Sequence, residues 1–243
     1  MSARYERKAP VNGKVLYIFA LPVAAVFVVT LIIGFLIWKP LAILSILFAG
    51  LTLWFMWRRA DTAVLKSLGA RGLGQTEGQR VTNTVDNLCL SSGVNNPNIA
   101  VIDDPACNLA TVSGREDTIV VTTGLLETLD LMEMEGVVAH ALTKLASGSA
   151  TYGTLATSAR PFITNAQIEK AQTWDKTSAG VVSYDISGVG LTRYPPGLRS
   201  ALERIDGRST DIAGATSLGD AWFIPPSSDG SQLGHRIEVL WEL

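Results

Sequence analysis

Two uncharged runs at the N-terminal end constrain this chain more than any other feature. Between Val15 and Trp38 no residue carries a charge across 24 positions. At about 1.5 Å per residue a helix there reaches roughly 36 Å, beyond the ~30 Å of a hydrocarbon core. After a break at Lys39 and Pro40, Leu41 to Trp57 forms a second uncharged run of 17 residues, at the short end of the spanning range. Together they predict a transmembrane helical hairpin over 15–57, following a short segment, 1–14, and preceding a larger domain, 58–243. A signal peptide has a shorter apolar stretch closed by small residues at a cleavage site, so the hairpin is expected to stay attached. Arg4, Arg7, Lys8 and Lys14 precede the hairpin and Arg58, Arg59 and Lys66 follow it, with only Lys39 at the tip. By the positive-inside rule both ends lie in the cytoplasm, which makes the expectation a multi-pass protein of the cytoplasmic membrane with its bulk on the cytoplasmic side. Trp38, Trp54 and Trp57 stand near the ends of the spans, where indole rings favour the interface.

The remaining composition narrows the function classes. With a formal net charge of -2 the chain lacks the broad basic surface that nucleic acid demands, so no nucleic-acid partner is expected. Cys89 and Cys107 form no C-x-x-C pair, and two cysteines make no disulfide framework; both read as buried thiols. No nucleophile elbow G-x-S-x-G is present, and the glycines between Gly69 and Gly78 lack the strand, Lys and Ser/Thr of a phosphate-binding loop.

Periodicity gives the elements of the larger domain. Val81, Val85 and Leu88 share one helical face in a segment that starts at Glu77 and ends at Ser91, Ser92 and Gly93. Ile99 to Ile102 and Thr118 to Thr122 are short β-branched runs bounded by turn residues, and Asn108 to Val112 between them makes a third strand. A helical stretch opens at Gly124. From Met134 the apolar positions Val137, Val138 and Leu142 mark a buried helix carrying His140. The small polar residues from Ser147 to Thr157 break that pattern. Pro195 and Pro196 open a helix with a Leu198, Ala201, Leu202 and Ile205 stripe, because proline fits a first turn whose N–H groups have no helical partner. His235 to Leu243 closes the domain as a helix. The fold class expected is α+β, mostly helical with a small sheet.

The order of these segments carries a resemblance. Ile119-Val-Val-Thr-Thr-Gly-Leu-Leu-Glu-Thr-Leu-Asp130, followed by Glu133, Glu135, Val137, Val138, Ala139 and His140, resembles the HtpX-like membrane zinc metallopeptidases. In that family this stretch leads into H-E-x-x-H on a helix. A preceding N-A-F-A strand and glycine are similar to Asn108, Leu109, Ala110 and Gly114. The family's later E-x-x-A-D-x-x-A-x-x-L-T looks like Val181 to Thr192, its P-x-x-L-x-x-A-L like Pro195 to Leu202, and its closing R-I-x-x-L like Arg236 to Leu240. The likeness runs from about residue 65 to the end, and the hairpin suits the family layout.

The spacing H-E-x-x-H has a geometric reason. Residues i and i+4 share a helix face, so two imidazoles can hold one zinc while the glutamate activates its water. Here His140 keeps the first position, but Ala141 stands for the general base, Lys144 for the second imidazole, and Val181 where the family has its glutamate ligand. A missing base alone lowers turnover by about 10² to 10⁴. An ammonium has no lone pair for a metal and repels it, and valine donates nothing. The resemblance therefore implies an inactive, zinc-free relative that serves as a membrane-anchored binding or scaffold subunit of a membrane protein complex. Its partners are the bilayer, a membrane protein, and an extended peptide on the edge formed by Asn108, Leu109 and Ala110. The alternative is an active zinc endopeptidase in protein quality control, with zinc as cofactor and an altered site or an engineered Ala141. A substitute site of Cys107, His140 and Asp185 has no spacing support. Two placements of Lys144 stay open: paired with Asp185, the counterpart of the family's aspartate, as a cation replacing a cation, or extended to solvent.

Overall fold

The computed structural model describes residues 58–74, 78–159, 180–212, 218–225 and 230–243, with scattered positions between 24 and 55. The hairpin expected over 15–57 lies largely outside the described residues. Those described between 24 and 55 are helical, and Val28, Ile32, Phe35, Leu47 and Leu51 among them are exposed. Among the described residues no helix is long and apolar enough to cross a membrane.

The larger domain is α+β and mostly helical. Its elements are α1 (Ala60–Ser67), β1 (Arg71–Gly72), α2 (Gln79–Ser92), β2 (Asn98–Ile102), β3 (Leu109–Ser113), β4 (Asp117–Thr122), α3 (Thr123–Thr128) and α4 (Leu131–Ser147). There follow α5 (Ala150–Ala159), α6 (Gly180–Thr192), α7 (Pro195–Ile205), a single 3₁₀ turn (Gly219–Ala221) and α8 (Gly230–Trp241). The sheet runs β1-β2-β4-β3, with β2 parallel to β4 and the other two pairs antiparallel.

Both faces of the sheet are covered, which explains why its strands read as continuous apolar runs. On one face Val101, Leu109, Ile119 and Val121 pack with α2, α4 and α7 in the main core. On the other, Ala100, Ile102, Ala110, Val112 and Val120 meet Val64 and Leu68 of α1 together with Leu218 and Trp222. Successive residues of β3 and β4 thus feed opposite cores, as the two-residue repeat of a strand requires.

Helix α4 lies in the middle of the main core. Its start is fixed by a capping box, in which Glu133 N donates to Asp130 Oδ1 at 3.0 Å and Asp130 N donates to Glu133 Oε2 at 2.9 Å.

The strands, α2, α4 and α7 follow the sequence pattern closely; α5, β1 and α1 do not. The Ser147 to Thr157 stretch, expected as a break, holds helix α5. Its threonines donate back into the helix, Thr154 Oγ1 to Ala150 O at 2.9 Å and Thr157 Oγ1 to Gly153 O at 2.8 Å, so hydroxyls that count as helix-breaking are satisfied within it. Strand β1 sits inside the glycine-rich passage, where a two-residue pairing leaves no periodicity to read. Helix α1 spans only eight residues, too few to repeat an apolar stripe, and Val64 packs on the second core.

Candidate functional site

The site is built where α4 and α6 cross. Gly188 makes the crossing close: a Cβ there would stand 2.8 Å from His140 N and 3.1 Å from its Cα. One turn earlier on α6, Asp185 is thereby carried against His140, and its Oδ1 lies 2.7 Å from His140 Nδ1. Both side chains are 1% exposed.

The third member comes from α8. Arg236 Nε donates to Asp185 Oδ2 at 2.7 Å and its Nη2 to Oδ1 at 2.8 Å, a two-pronged fork on one carboxylate. Its Nη1 donates to Phe223 O at 2.9 Å, and the guanidinium sits 4.5 Å from the centroid of the Phe223 ring. The same phenyl ring meets the imidazole edge-on, with centroids 4.9 Å apart.

This arrangement sets the charges. Burial drives the His140 pKa down from 6.5 to about 4; the Asp185 hydrogen bond opposes that, and the charges of Arg236 and Lys144 add to it. His140 is therefore neutral at pH 7. Burial raises the Asp185 carboxyl, but the Arg236 guanidinium and the His140 hydrogen bond outweigh it and hold the group at about 2. An ionised carboxylate facing a neutral imidazole places the imidazole proton on Nδ1. The other nitrogen, Nε2, is buried with no hydrogen-bond partner among the described residues.

Lys144 lies one turn beyond His140 and is 2% exposed. The expectation of a side chain extended to solvent is corrected. The Nζ donates to Trp222 O at 3.4 Å and lies 5.8 Å from the centroid of the Tyr184 ring, so a carbonyl and an aromatic face take up its charge. The cation forked on Asp185 is Arg236. In the sequence Arg236 stood out only as the first residue of R-I-x-x-L, because nothing in a helical pattern tells a buried arginine from a surface one.

Ala141 is enclosed in the main core. Val181 lies four residues before Asp185 on α6, hence on the same helix face, and lines a cavity of about 180 Å³ with Val182, Ile224, Pro225 and Leu233. His235 also reaches this cavity.

The three peptide-edge candidates have a different surrounding from the one expected. Asn108, Leu109 and Ala110 are fully buried, and the outer edge of β3 is paired with the chain's own segment 221–224. Phe223 N donates to Leu109 O at 2.7 Å, Trp222 bridges Ala110 antiparallel, and Thr111 Oγ1 donates to Ala221 O at 3.1 Å. Asn108 closes the end: its Nδ2 donates to Ile224 O at 2.8 Å and its Oδ1 accepts from Ile224 N at 3.1 Å. An unpaired strand edge accepts a peptide, whereas this one already has a partner. The expectation of an open edge is corrected on that ground.

Zinc asks for three protein ligands carrying nitrogen, sulfur or oxygen lone pairs. Here His140 offers one nitrogen, and the neighbouring positions supply a methyl group, an ammonium and an isopropyl group. The substitute trio is not assembled either. Cys107 Sγ lies 3.6 Å from Gly124 O and 3.2 Å from Thr128 Oγ1, among α3 atoms. Among the described residues no group of three His, Cys, Asp or Glu side chains can hold a metal ion. The residues present do not fit the zinc of the H-E-x-x-H class.

A histidine on a central buried helix, an aspartate and an arginine from two later helices, and a small sheet packed on that helix make up the centre of the domain. No protein-family model matches the chain. A protease HtpX homolog of Dictyoglomus thermophilum is 27% identical over 205 residues, 68% of this chain and 66% of that protein. One from Tropheryma whipplei is 28% identical over 207 residues, 69% of this chain and 70% of its own. A Bacteroides fragilis homolog is 38% identical over 100 residues, 40% of this chain and 31% of its own. Over these stretches the chain is similar to proteins named protease HtpX homolog. The matched stretches span just under two thirds of the Dictyoglomus relative and under a third of the Bacteroides one.

Proposed function

We propose that this chain is a catalytically inactive, membrane-anchored HtpX-like protein that works as a binding or scaffold subunit for a membrane protein, without zinc. The observation that carries this reading is the buried ammonium of Lys144 one helical turn from His140, where the family pattern requires a second lone pair. Ala141 leaves no group to take a proton from water. The Asp185 and Arg236 pair, kept in the absence of a ligand set, acts as a strut between α6 and α8. With the β3 edge occupied by residues 221–224, the partner is engaged through the apolar N-terminal helices rather than through an added strand.

The membrane location follows from the uncharged runs of 24 and 17 residues and from the flanking basic residues. A second reading has its own support. The relatives are named proteases, and a buried His140 Nε2 without a partner is what a metal-binding imidazole presents before its metal arrives. Under it the protein is a membrane zinc endopeptidase of protein quality control with an altered or engineered site.

A zinc determination on the purified full-length chain separates the two. The proposal expects well under one equivalent of zinc and no cleavage of an unfolded membrane substrate. Stoichiometric zinc that disappears in His140→Ala overturns it. Stable co-purification of one membrane protein from native membranes supports the scaffold role.

A further inference from the structure

A cavity of about 460 Å³ is lined by Trp54, Arg58, Gly114 and Arg115. The chain brings these residues together by a specific contact. Asp61, on the first turn of α1 and nearly buried, accepts from Arg115 N at 3.1 Å and Glu116 N at 3.3 Å through Oδ2. The tip of the β3–β4 hairpin is thereby tied down beside Arg58. Gly114 makes the approach possible, since a Cβ there would stand 2.7 Å from that of Asp61.

The charges around the cavity are unequal. Arg71, Arg80, Arg199, Arg204, Arg208 and Arg236 are all hydrogen-bonded or ion-paired within the domain. By contrast, the guanidinium groups of Arg58 and Arg115 have no hydrogen bond or ion pair among the described residues. Arg58 instead lies 5.1 Å from the centroid of the Trp54 ring, and neighbouring Arg59 lies 4.5 Å from that of Phe55. The nearby carboxylates are occupied: Asp61 by the hairpin amides, Glu116 Oε2 by Asn98 Nδ2 at 2.7 Å, and Asp117 Oδ1 by Ser113 Oγ at 2.7 Å. Among the described residues preceding Arg58, Leu47, Leu51, Trp54 and Phe55 are exposed.

We propose that this cavity binds the phosphate headgroup of an anionic phospholipid, and so sets the domain's height and tilt on the membrane. Arg58 and Arg115 take the phosphate from two sides, because planar guanidinium forks match its oxygens. Trp54 holds the glycerol level, where an indole has one apolar and one wet face. The exposed apolar residues preceding Arg58 supply the surface for the acyl chains. The proposal rests on the membrane location argued above, and a lipid is favoured over free phosphate because the cavity opens beside that apolar surface.

The test uses the full-length chain in detergent, titrated with short-chain phosphatidylglycerol, short-chain phosphatidylcholine or inorganic phosphate, with bound lipid read by native mass spectrometry. Saturable binding of phosphatidylglycerol is expected. In Arg58→Gln/Arg115→Gln it weakens about 30-fold, with the far-ultraviolet circular dichroism unchanged. Reconstitution supplies a second arm: the wild-type chain is ordered more tightly on equimolar phosphatidylcholine and phosphatidylglycerol vesicles than on phosphatidylcholine alone, and the double variant loses the difference. Equal binding of both lipids, equal binding of inorganic phosphate, or no change in the double variant overturns the site. Release of the wild-type chain from native membranes by alkaline carbonate overturns the membrane location itself, which keeps the two failures apart.

Discussion

At the residue scale the centre is ruled by one buried carboxylate with two partners. Asp185 is held ionised by Arg236, and its presence fixes the tautomer of His140. Removing the arginine leaves the carboxylate uncompensated in the core, so Arg236→Met is expected to cost about 3–5 kcal/mol, measured by urea unfolding of the detergent-solubilised chain. Arg236→Lys recovers only part of this, because an ammonium cannot make the fork. His140 gives a pH dependence of definite sign. Its pKa is about 4 in the folded chain and 6.5 as a free group. The unfolded state therefore takes up the proton first as pH falls. Stability from the neutral imidazole is fully present above about pH 6.5 and is lost between 6.5 and 4, by about 3 kcal/mol at most. Unfolding midpoints at pH 7 and pH 5 measure the loss, and His140→Gln is expected to remove most of it. Lys144→Met takes away one of the charges that depress His140, so the imidazole pKa should rise in that variant while staying below 6.5. Nuclear magnetic resonance titration of the ring protons reads it directly.

At the scale of elements, the decisive contact is the crossing of α4 and α6. It depends on Gly188, since any side chain there strikes the backbone of His140. Gly188→Ala is expected to push the helices apart and cost about 1–3 kcal/mol through overpacking, with the His140 to Asp185 hydrogen bond lengthened. Loss of the low-field Nδ1 proton resonance together with a lower unfolding midpoint checks both effects. The pairing of β3 with residues 221–224 is the second such contact. A sequence reading finds a strand with edge-like residues and a later Trp-Phe-Ile run. It does not find that one covers the other, because over a hundred residues separate them and neither repeats a pattern that names its partner.

For the whole molecule, the scaffold around His140 is closely packed, while among the described residues no three side chains form a metal ligand set. The capping box, the α4 and α6 crossing and the Arg236 strut are all in place around His140, with Ala141 and Lys144 on α4 and Val181 on α6. That combination predicts a gain of function in metal binding. The triple substitution Ala141→Glu, Lys144→His, Val181→Glu restores a three-ligand set on two packed helices, and about one equivalent of zinc per chain is expected by elemental analysis. Cleavage activity should stay low even then, because the self-paired β3 edge leaves no room for a peptide strand beside the metal. A fully active triple variant would show that residues 221–224 yield readily to a substrate.

Local chemistry made much of this legible from the chain alone. The strands, α2, α4 and α7 followed from period-two and period-3.6 patterns, and the shared helix face of His140 and Lys144 from the i, i+4 rule. Each of these is a property of a few neighbouring residues, which is what a sequence records. Tertiary structure decided the rest: Arg236 as the cation on Asp185, the depth of Lys144, the helical state of the threonine-rich α5, and the closure of the β3 edge by residues 221–224. All four depend on which distant side chains meet. In a buried site, where desolvation makes every unpaired polar group costly, that meeting determines charge, tautomer and access.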